Sequence, residues 1–516
     1  MRSLALLLLL LTLSAPAETP FCSRIRSLLA DPAVASAHWG ISVTTLTGTP
    51  LCSINETQLF RPASNVKLFI TLAALTLLDP AQPGPATTLS PPLQPGEATR
   101  NGDLTIAGRG DGFLSERPMP YAPLLPGSPT PVPRRNPLET LADSVAASGL
   151  KHIHGDIIGD DTLWPSEPYG PDWSIDDTLW GFGAPVSALS VNDNKTVLTL
   201  TPGPDIGAPA TAALAALPSF YKLQSDVTTT APKTPAAIGI ERAPGSRTVR
   251  IFGSIPLGAP YLEDLAIDDP AEYAALLFKS MLEARGLTID GAARAQHRLS
   301  TITASFNTQS TQPLPTLPNS PAILAAIPAA LPAAQTAPLP TPGPTLLEDI
   351  ALTLKVSQNL HAELLLHRLG RQFAQDGSAA EGARVVRQFA LGVGVNKDDF
   401  VLFDGSGLSG HDLATPRAFT QLLTFAAAQP WFPSFKAALP ISGTDGSLLT
   451  RFPPSFKGRV FAKTGTLSEA RALSGYVTAG SGNTLIFSIL VDNHLPSSHA
   501  DRTLTDRIVD LIATEN

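Results

Sequence analysis

Ser64 and Lys67 lie three residues apart in the run PASNVKLFITLAALTLL, Pro62 to Leu78. Residues i and i+3 share a helix face, so a hydroxyl and an amine at this spacing can meet. The helix that carries them is apolar on almost every face, which is the pattern of a buried helix. An ammonium ion placed there loses hydration, and desolvation lowers a lysine's pKa. A serine hydroxyl beside an amine driven toward neutrality is a nucleophile beside its base. The same letters also read as a serine cap with a snorkelling lysine. The S-x-x-K spacing recurs at Ser148/Lys151 and Ser219/Lys222. Only the first copy heads a long apolar helix, with Pro62 as start punctuation.

Two other short motifs bear on this pair. Ser357-Gln358-Asn359 falls on a short connection between two helical runs, LLEDIALTLK and LHAELLLHRLG. S-x-N also begins at Ser53, Ser190, Ser305 and Ser481, and alone it reads as ordinary helix capping. Lys463-Thr464-Gly465 occurs once, at the end of a strand-like run, where Gly465 would let another backbone approach closely. Alone it reads as a solvated strand end. In this order, S-x-x-K, S-x-N and K-T-G are the three marks of penicillin-recognising serine enzymes. Neither a Gly-x-Ser-x-Gly elbow nor an H-E-x-x-H metalloprotease motif occurs.

The elements that must position these residues come from opposite ends of the chain. Residues 38–55, HWGISVTTLTGTPLCSIN, read as two short strands about the turn Thr47-Gly48-Thr49. RVFAKTGTL, RALSGYVTAG and NTLIFSILVDN read as an antiparallel meander, followed by an amphipathic helix from Asp501 to Thr514. Between Leu89 and Thr303 the texture changes to many short strand-like runs punctuated by Gly, Pro and Asp, with helices near 140–148 and 271–285. Residues 308–344 hold ten prolines and no charge, the composition of a low-complexity linker that need not pack. The expected organisation is a signal peptide over 1–17, one α/β domain from 18–88 plus 345–516, an inserted β-rich region over 89–303 in two modules, and a Pro-rich linker over 304–344.

Composition excludes several classes. A chain of 516 residues with 43% hydrophobic and 16% charged residues is a globular protein of two to four domains. A net charge of −8 without a basic stripe argues against a nucleic-acid partner. MRSLALLLLLLTLSAPAETP has the basic start, leucine-rich core and Ala15-Pro16-Ala17 site of a secretory signal cleaved before Glu18. Its apolar core is too short to span a bilayer, so the mature protein is expected to be exported, periplasmic and without a transmembrane anchor. Cys22 and Cys52 are the only cysteines. In an oxidising compartment they are a candidate disulfide, with two free buried thiols as the alternative. The histidines show no metal pattern, and His152-Ile153-His154 reads as strand alternation.

Beyond its three motifs the chain resembles the D-alanyl-D-alanine carboxypeptidase/endopeptidase family of low-molecular-mass (class C) penicillin-binding proteins, peptidase family S13. RPASNVKLF resembles its nucleophile segment. NGDLTIAGRGDGFLS resembles its G-D-L…G-x-G-D-P-x-L stretch, with Gly112 where proline is usual. GDIIGDDTLW, PDWSIDD and FGAPVSALSVNDN resemble parts of its inserted region. LKVSQNLHAELLL resembles its S-x-N helix, with Gln358 where aspartate is common. FDGSGLSGHDLATP departs from the family pattern at Gly410-His411, where an arginine is usual. LPISGTDGSLLTRF and GRVFAKTGTL complete a resemblance over most of the mature chain.

The resemblance implies a penicillin-binding-protein/β-lactamase-like transpeptidase domain, α/β (α+β), interrupted by the large inserted region. It implies action on peptidoglycan stem peptides through an acyl-enzyme at Ser64, acylation by β-lactams, and no cofactor or metal. Lys67 would be the general base and Ser357 the proton relay to the leaving amine. Asn359 would hydrogen-bond Lys67 and substrate, and Lys463 and Thr464 would hold the terminal carboxylate on the strand that Gly465 and Thr466 complete. The N–H groups of Ser64 and Thr466 would form the oxyanion hole. Asp177, in WSIDDTLWGFGAP, reads either as a solvated loop charge or as a carboxylate facing the free amine of a diamino acid in the stem. The rival readings are a serine β-lactamase or esterase on the same fold, and a non-catalytic cell-wall binding protein.

Overall fold

The run TLIFSILVDN is apolar at consecutive positions because both faces of its strand are covered. In the computed structural model it forms part of a five-stranded antiparallel sheet. Strands β1 (His38–Thr45) and β2 (Pro50–Ile54) come from one end of the chain, and β3 (Val460–Thr466), β4 (Ala470–Thr478) and β5 (Thr484–Asp492) from the other. Their spatial order is β2-β1-β5-β4-β3. The first strand therefore pairs with the last, from His38↔Asp492 to Thr45↔Leu485. The described residues are 19–516 apart from 95, 126, 128–131, 216–217, 315–316, 318–342 and 496–497. The signal peptide expected over 1–17 and most of the Pro-rich stretch lie outside them.

Alternation along β5 separates two cores. Leu485, Phe487, Ile489 and Val491 pack with the helices Pro20–Leu29 and Ala500–Thr514 on one face. Ile486 and Leu490 turn to a larger core shared with the helices Val66–Leu77, Asn359–Phe373, Ala379–Gly392 and Pro416–Ala427. Cys22 and Cys52 are joined by a disulfide with Cα atoms 5.2 Å apart, fastening the first helix to β2. The Val66–Leu77 helix crosses the larger core with every residue but Thr76 buried. Its threonines remain satisfied because Thr71 Oγ1 donates to Lys67 O and Thr76 Oγ1 to Leu72 O, both at 2.7 Å.

The chain leaves this unit after Leu78 and forms several small sheets. The largest of them has four strands, ordered Ala293–Gln296, Ile157–Asp160, Leu104–Ala107, Thr88–Ser90. The helices Pro137–Ala147 and Pro270–Glu283 cover these sheets over one hydrophobic cluster that includes Leu104, Val249, Phe278 and Ile289. The expectation that residues 308–344 need not pack fails for its described beginning. Phe306–Ser310 is helical, and Leu314 and Leu317 are buried in the larger core. Arg384 donates to the carbonyls of Gln312 (3.0 Å) and Pro313 (2.5 Å). Leucines between the prolines supply burial, and an arginine supplies donors to the exposed carbonyls. Among the described residues no helix is long and apolar enough to cross a membrane.

Candidate active site

Ser64 stands in a single 3-10 turn, Ala63–Asn65, immediately before the buried helix. Ala63 holds φ +47°, a left-handed conformation that costs a non-glycine residue on the order of 1–3 kcal/mol and that surrounding contacts must enforce. Two glycines press on this turn. A Cβ on Gly407 would lie 2.0 Å from Ala63 O, and one on Gly465 would lie 2.6 Å from Pro62 O. The K-T-G glycine is thus the residue that lets β3 touch the Ser64 turn. Asn65 locks the same contact. With its Oδ1 toward Ser474 Oγ (2.8 Å), its Nδ2 donates to Lys463 O at 2.9 Å.

Lys67 Nζ is fully buried and donates to Ser64 Oγ (2.8 Å), Asn359 Oδ1 (2.7 Å) and Ser406 O (2.5 Å). Burial lowers its pKa from 10.5 to about 7, against the opposing charges of Asp404, Glu363 and Asp412. A neutral amine keeps two N–H groups and one lone pair. The Asn359 and Ser406 oxygens can only accept, whereas the Ser64 hydroxyl can also donate. On deprotonation the lone pair must therefore face Ser64, and the hydrogen bond reverses so that Ser64 donates to Lys67. That is the arrangement of nucleophile and base.

A second serine–lysine pair faces the first. Lys463 Nζ donates to Ser357 Oγ (2.8 Å) and to Thr464 O (2.7 Å). It too is fully buried, and burial first, then the charge of Lys67, holds its pKa well below 10.5. Ser357 holds φ +58° on the connection between the helices Leu346–Lys355 and Asn359–Phe373. The structure thus joins Ser64, Lys67 and Asn359 in one hydrogen-bonded group and Ser357 and Lys463 in another. Thr464 Oγ1 lies 2.8 Å from Ser447 Oγ, and Thr466 is exposed at the end of β3.

Several positioning residues carry no signal in the sequence. The Glu363 carboxylate accepts from Gly405 N (3.0 Å) and Ser406 N (2.8 Å), fixing the loop whose carbonyl meets Lys67. Burial and then Asp404 raise Glu363 to about 8 and push Asp412 well above the usual carboxylate range. Asp404 is reached by the inserted region through Trp173 Nε1 (2.8 Å), and Phe182 O accepts from Asn359 Nδ2 (2.8 Å). Asp177 begins the short turn that leads to Phe182, and among the described residues no hydrogen bond or ion pair joins its carboxylate to the serine–lysine groups. Its pKa is raised, by burial first and then by Asp176. At the departure from the family's arginine, His411 Nδ1 lies 3.5 Å from Asp172, and a Cβ on Gly410 would lie 2.7 Å from the same carboxylate. Among the described residues one group elsewhere has metal-ligand chemistry. His152, in a strand that ends at Ile153, and His154 just beyond it both hydrogen-bond Asp290, at 2.8 and 2.6 Å.

This mixed sheet-and-helix fold has counterparts among solved structures. A crystal structure of penicillin binding protein 4 (dacB) from Haemophilus influenzae superposes with a TM-score of 0.73 at 18% identity, covering 96% of this chain and 99% of that one. The fold is therefore that of the penicillin-binding proteins. The model of the D-Ala-D-Ala carboxypeptidase 3 (S13) family matches residues 22–317 and 329–515, and the chain belongs to that family. A D-alanyl-D-alanine carboxypeptidase from an Actinomadura species is 32% identical over 484 residues, 91% of this chain and 80% of the relative. The D-alanyl-D-alanine carboxypeptidase DacB of Haemophilus influenzae is 24% identical over 379 residues, 70% of this chain and 69% of the relative.

Proposed function

We propose that the protein is a serine-type D-Ala-D-Ala peptidase acting on peptidoglycan stem peptides, with Ser64 as nucleophile. The observation that carries this reading is the Lys67 amine, whose two partners other than Ser64 can only accept. Ser64 Oγ attacks the carbonyl carbon of the penultimate D-alanine while its proton passes to Lys67. The N–H groups of Ser64 and Thr466 receive the developing oxyanion, each donor contributing about 3 kcal/mol in comparable sites. The C–N bond then breaks, and the proton taken up by Lys67 passes by way of Ser357, which Lys463 hydrogen-bonds, to the leaving amine, so that Lys67 is neutral again. Water attacks the resulting ester with Lys67 again as base, releasing the shortened peptide and restoring the serine hydroxyl. Asn359 orients Lys67 and the substrate backbone, and the stem peptide adds as a further strand along β3.

Asp177 is proposed to pair with the free amine of a diamino acid in the stem, and Asp177→Ala then weakens cleavage of cationic stems selectively. An exported, periplasmic setting is supported by the disulfide, which persists in oxidising compartments. Incubation with a labelled penicillin, followed by mass spectrometry of the adduct, tests the whole reading. A long-lived adduct on Ser64 together with D-alanine release from stem peptides is the expected result. Rapid turnover of the adduct indicates a β-lactamase, and no adduct indicates a non-catalytic binding protein.

A further inference from the structure

His152 and His154 stand close together in the inserted region, and Asp290 lies beside them although 136 residues separate it from His154 along the chain. The backbone fixes all three. The strand His152–Ile153 runs between Thr99–Arg100 and Thr288–Ile289, parallel to both, with His152 paired to Thr288 and Ile153 to Ile289. The hydrogen-bond pattern continues one residue further, since Asp290 N donates to Ile153 O (3.0 Å) and His154 N to Arg100 O (2.9 Å). Ile153 and Ile289 are buried in the hydrophobic cluster of this region, whereas His152 is half-buried and His154 and Asp290 are exposed. The three polar side chains converge outside that core. His152 Nε2 meets one Asp290 oxygen at 2.8 Å and His154 Nδ1 meets the other at 2.6 Å, with the imidazole centroids 4.0 Å apart.

Two imidazole nitrogens and a carboxylate oxygen within 4.8 Å of one another are donors that a single cation can share. Among the described residues no lysine or arginine pairs with Asp290, so no fixed cation competes for its charge. Zinc accepts two imidazoles and one carboxylate with water in the remaining position. At zinc–ligand distances of about 2.0–2.1 Å, tetrahedral ligand atoms stand about 3.3 Å apart. The two contacts to Asp290 must therefore open by about 0.5–0.7 Å, which exposed side chains supply by small rotations. Magnesium and calcium favour oxygen donors and suit this set poorly. We propose that His152, His154 and Asp290 bind a zinc ion. The ion clips the strand His152–Ile153 to the residue that follows Thr288–Ile289. It thereby joins two parts of the inserted region that are distant in sequence, and its binding stabilises that region.

Isothermal titration of the chelator-treated protein with zinc chloride tests this in the wild type, in Asp290→Asn and in the double variant His152→Ala/His154→Ala. The wild type should take up one zinc per chain. Its affinity should fall at least about tenfold in Asp290→Asn, and further in the double variant. Zinc at roughly a hundred times its Kd should raise the Tm of the wild type and leave that of the double variant unchanged. Far-UV circular dichroism of the metal-free variants should match the wild type, since the substituted side chains lie outside the core. Magnesium chloride should bind none of the three proteins at this affinity. No zinc uptake by the wild type, equal zinc affinity in all three proteins, or tighter binding of magnesium than of zinc overturns the site.

Discussion

Gln358 Nε2 donates to Asp193 Oδ2 across 3.1 Å while its Oε1 accepts from Leu360 N, also at 3.1 Å. One amide thus caps the Asn359–Phe373 helix and ties the second motif to the inserted region. Asp193 lies in a left-handed run, Asn192 to Asn194 with φ +52°, +56° and +54°. Its carboxylate also binds Arg117 and lies 3.7 Å from the buried His361, whose Nδ1 meets Asp349 at 2.6 Å. Gly112 makes room for that imidazole, since a Cβ there would lie 2.9 Å from His361 Cε1. The two departures from the family pattern at Gly112 and Gln358 therefore meet at one buried charge cluster.

Replacing Gln358 by Glu keeps an oxygen for the cap but sets a second carboxylate against Asp193. A cost of about 1–3 kcal/mol is expected. It should appear as a lower Tm together with slower acylation of Ser64 by labelled penicillin, because Ser357 and Asn359 flank the substituted residue. Unchanged acylation at a reduced Tm would limit Gln358 to a structural role.

His361 titrates with a definite sign. Burial lowers its pKa, but Asp349 and Asp193 outweigh it and raise the group from 6.5 to about 9. A raised histidine contributes stability that is complete below pH 6.5 and lost as pH rises through 9. The Tm difference between wild type and His361→Gln should be largest near pH 6, worth up to about 3 kcal/mol, and should shrink by pH 10. A difference independent of pH refutes the charged state.

Acylation should follow the ionisation of Lys67. The amine acts as base only when neutral, and burial holds its pKa at about 7. The second-order rate constant for penicillin acylation is expected to rise with pH along a limb centred near 7. Lys67→Arg, which keeps the charge and cannot lose its proton, should slow acylation about 10²- to 10⁴-fold. Stopped-flow or gel-based labelling measures both.

Gly407→Ala should be more damaging than its size suggests. The added carbon meets Ala63 O at 2.0 Å, and Gly407 holds φ +83°. A loss of about 2–4 kcal/mol with near-complete loss of Ser64 labelling is expected. Normal labelling at normal Tm would show that the nucleophile turn is not held by this contact.

Replacing both Cys22 and Cys52 by alanine removes a crosslink spanning 30 residues. The expected cost is about 3–4 kcal/mol of stability. Penicillin acylation at Ser64 should survive at 25 °C, since the bond lies on the first helix and β2, away from the serine–lysine groups. Calorimetry with and without reductant should reproduce the same loss in the wild type.

Local pattern was enough to find the buried helix that carries Lys67, the strand that carries Lys463 and the connection bearing Ser357, because periodicity and turn residues act over a few positions. The Pro-rich stretch misled in its first part, since composition does not reveal that Leu314 and Leu317 are buried. The carboxyl groups around Lys67 were also illegible. A buried glutamate such as Glu363 and a solvated one are the same letter, and only packing distinguishes them.

By itself the sequence determined which hydroxyl, amines and amide were available, and placed Ser64 and Lys67 three residues apart at the head of a helix apolar on almost every face. Three-dimensional pairing decided the rest. β1 against β5 closes the two chain ends into one sheet and brings Lys463 to the Ser64 turn. The inserted region then reaches back to hold Asn359, Gln358 and Asp404. Reactivity at Ser64 depends on burial and on contacts between residues far apart in the chain, and no local pattern encodes either.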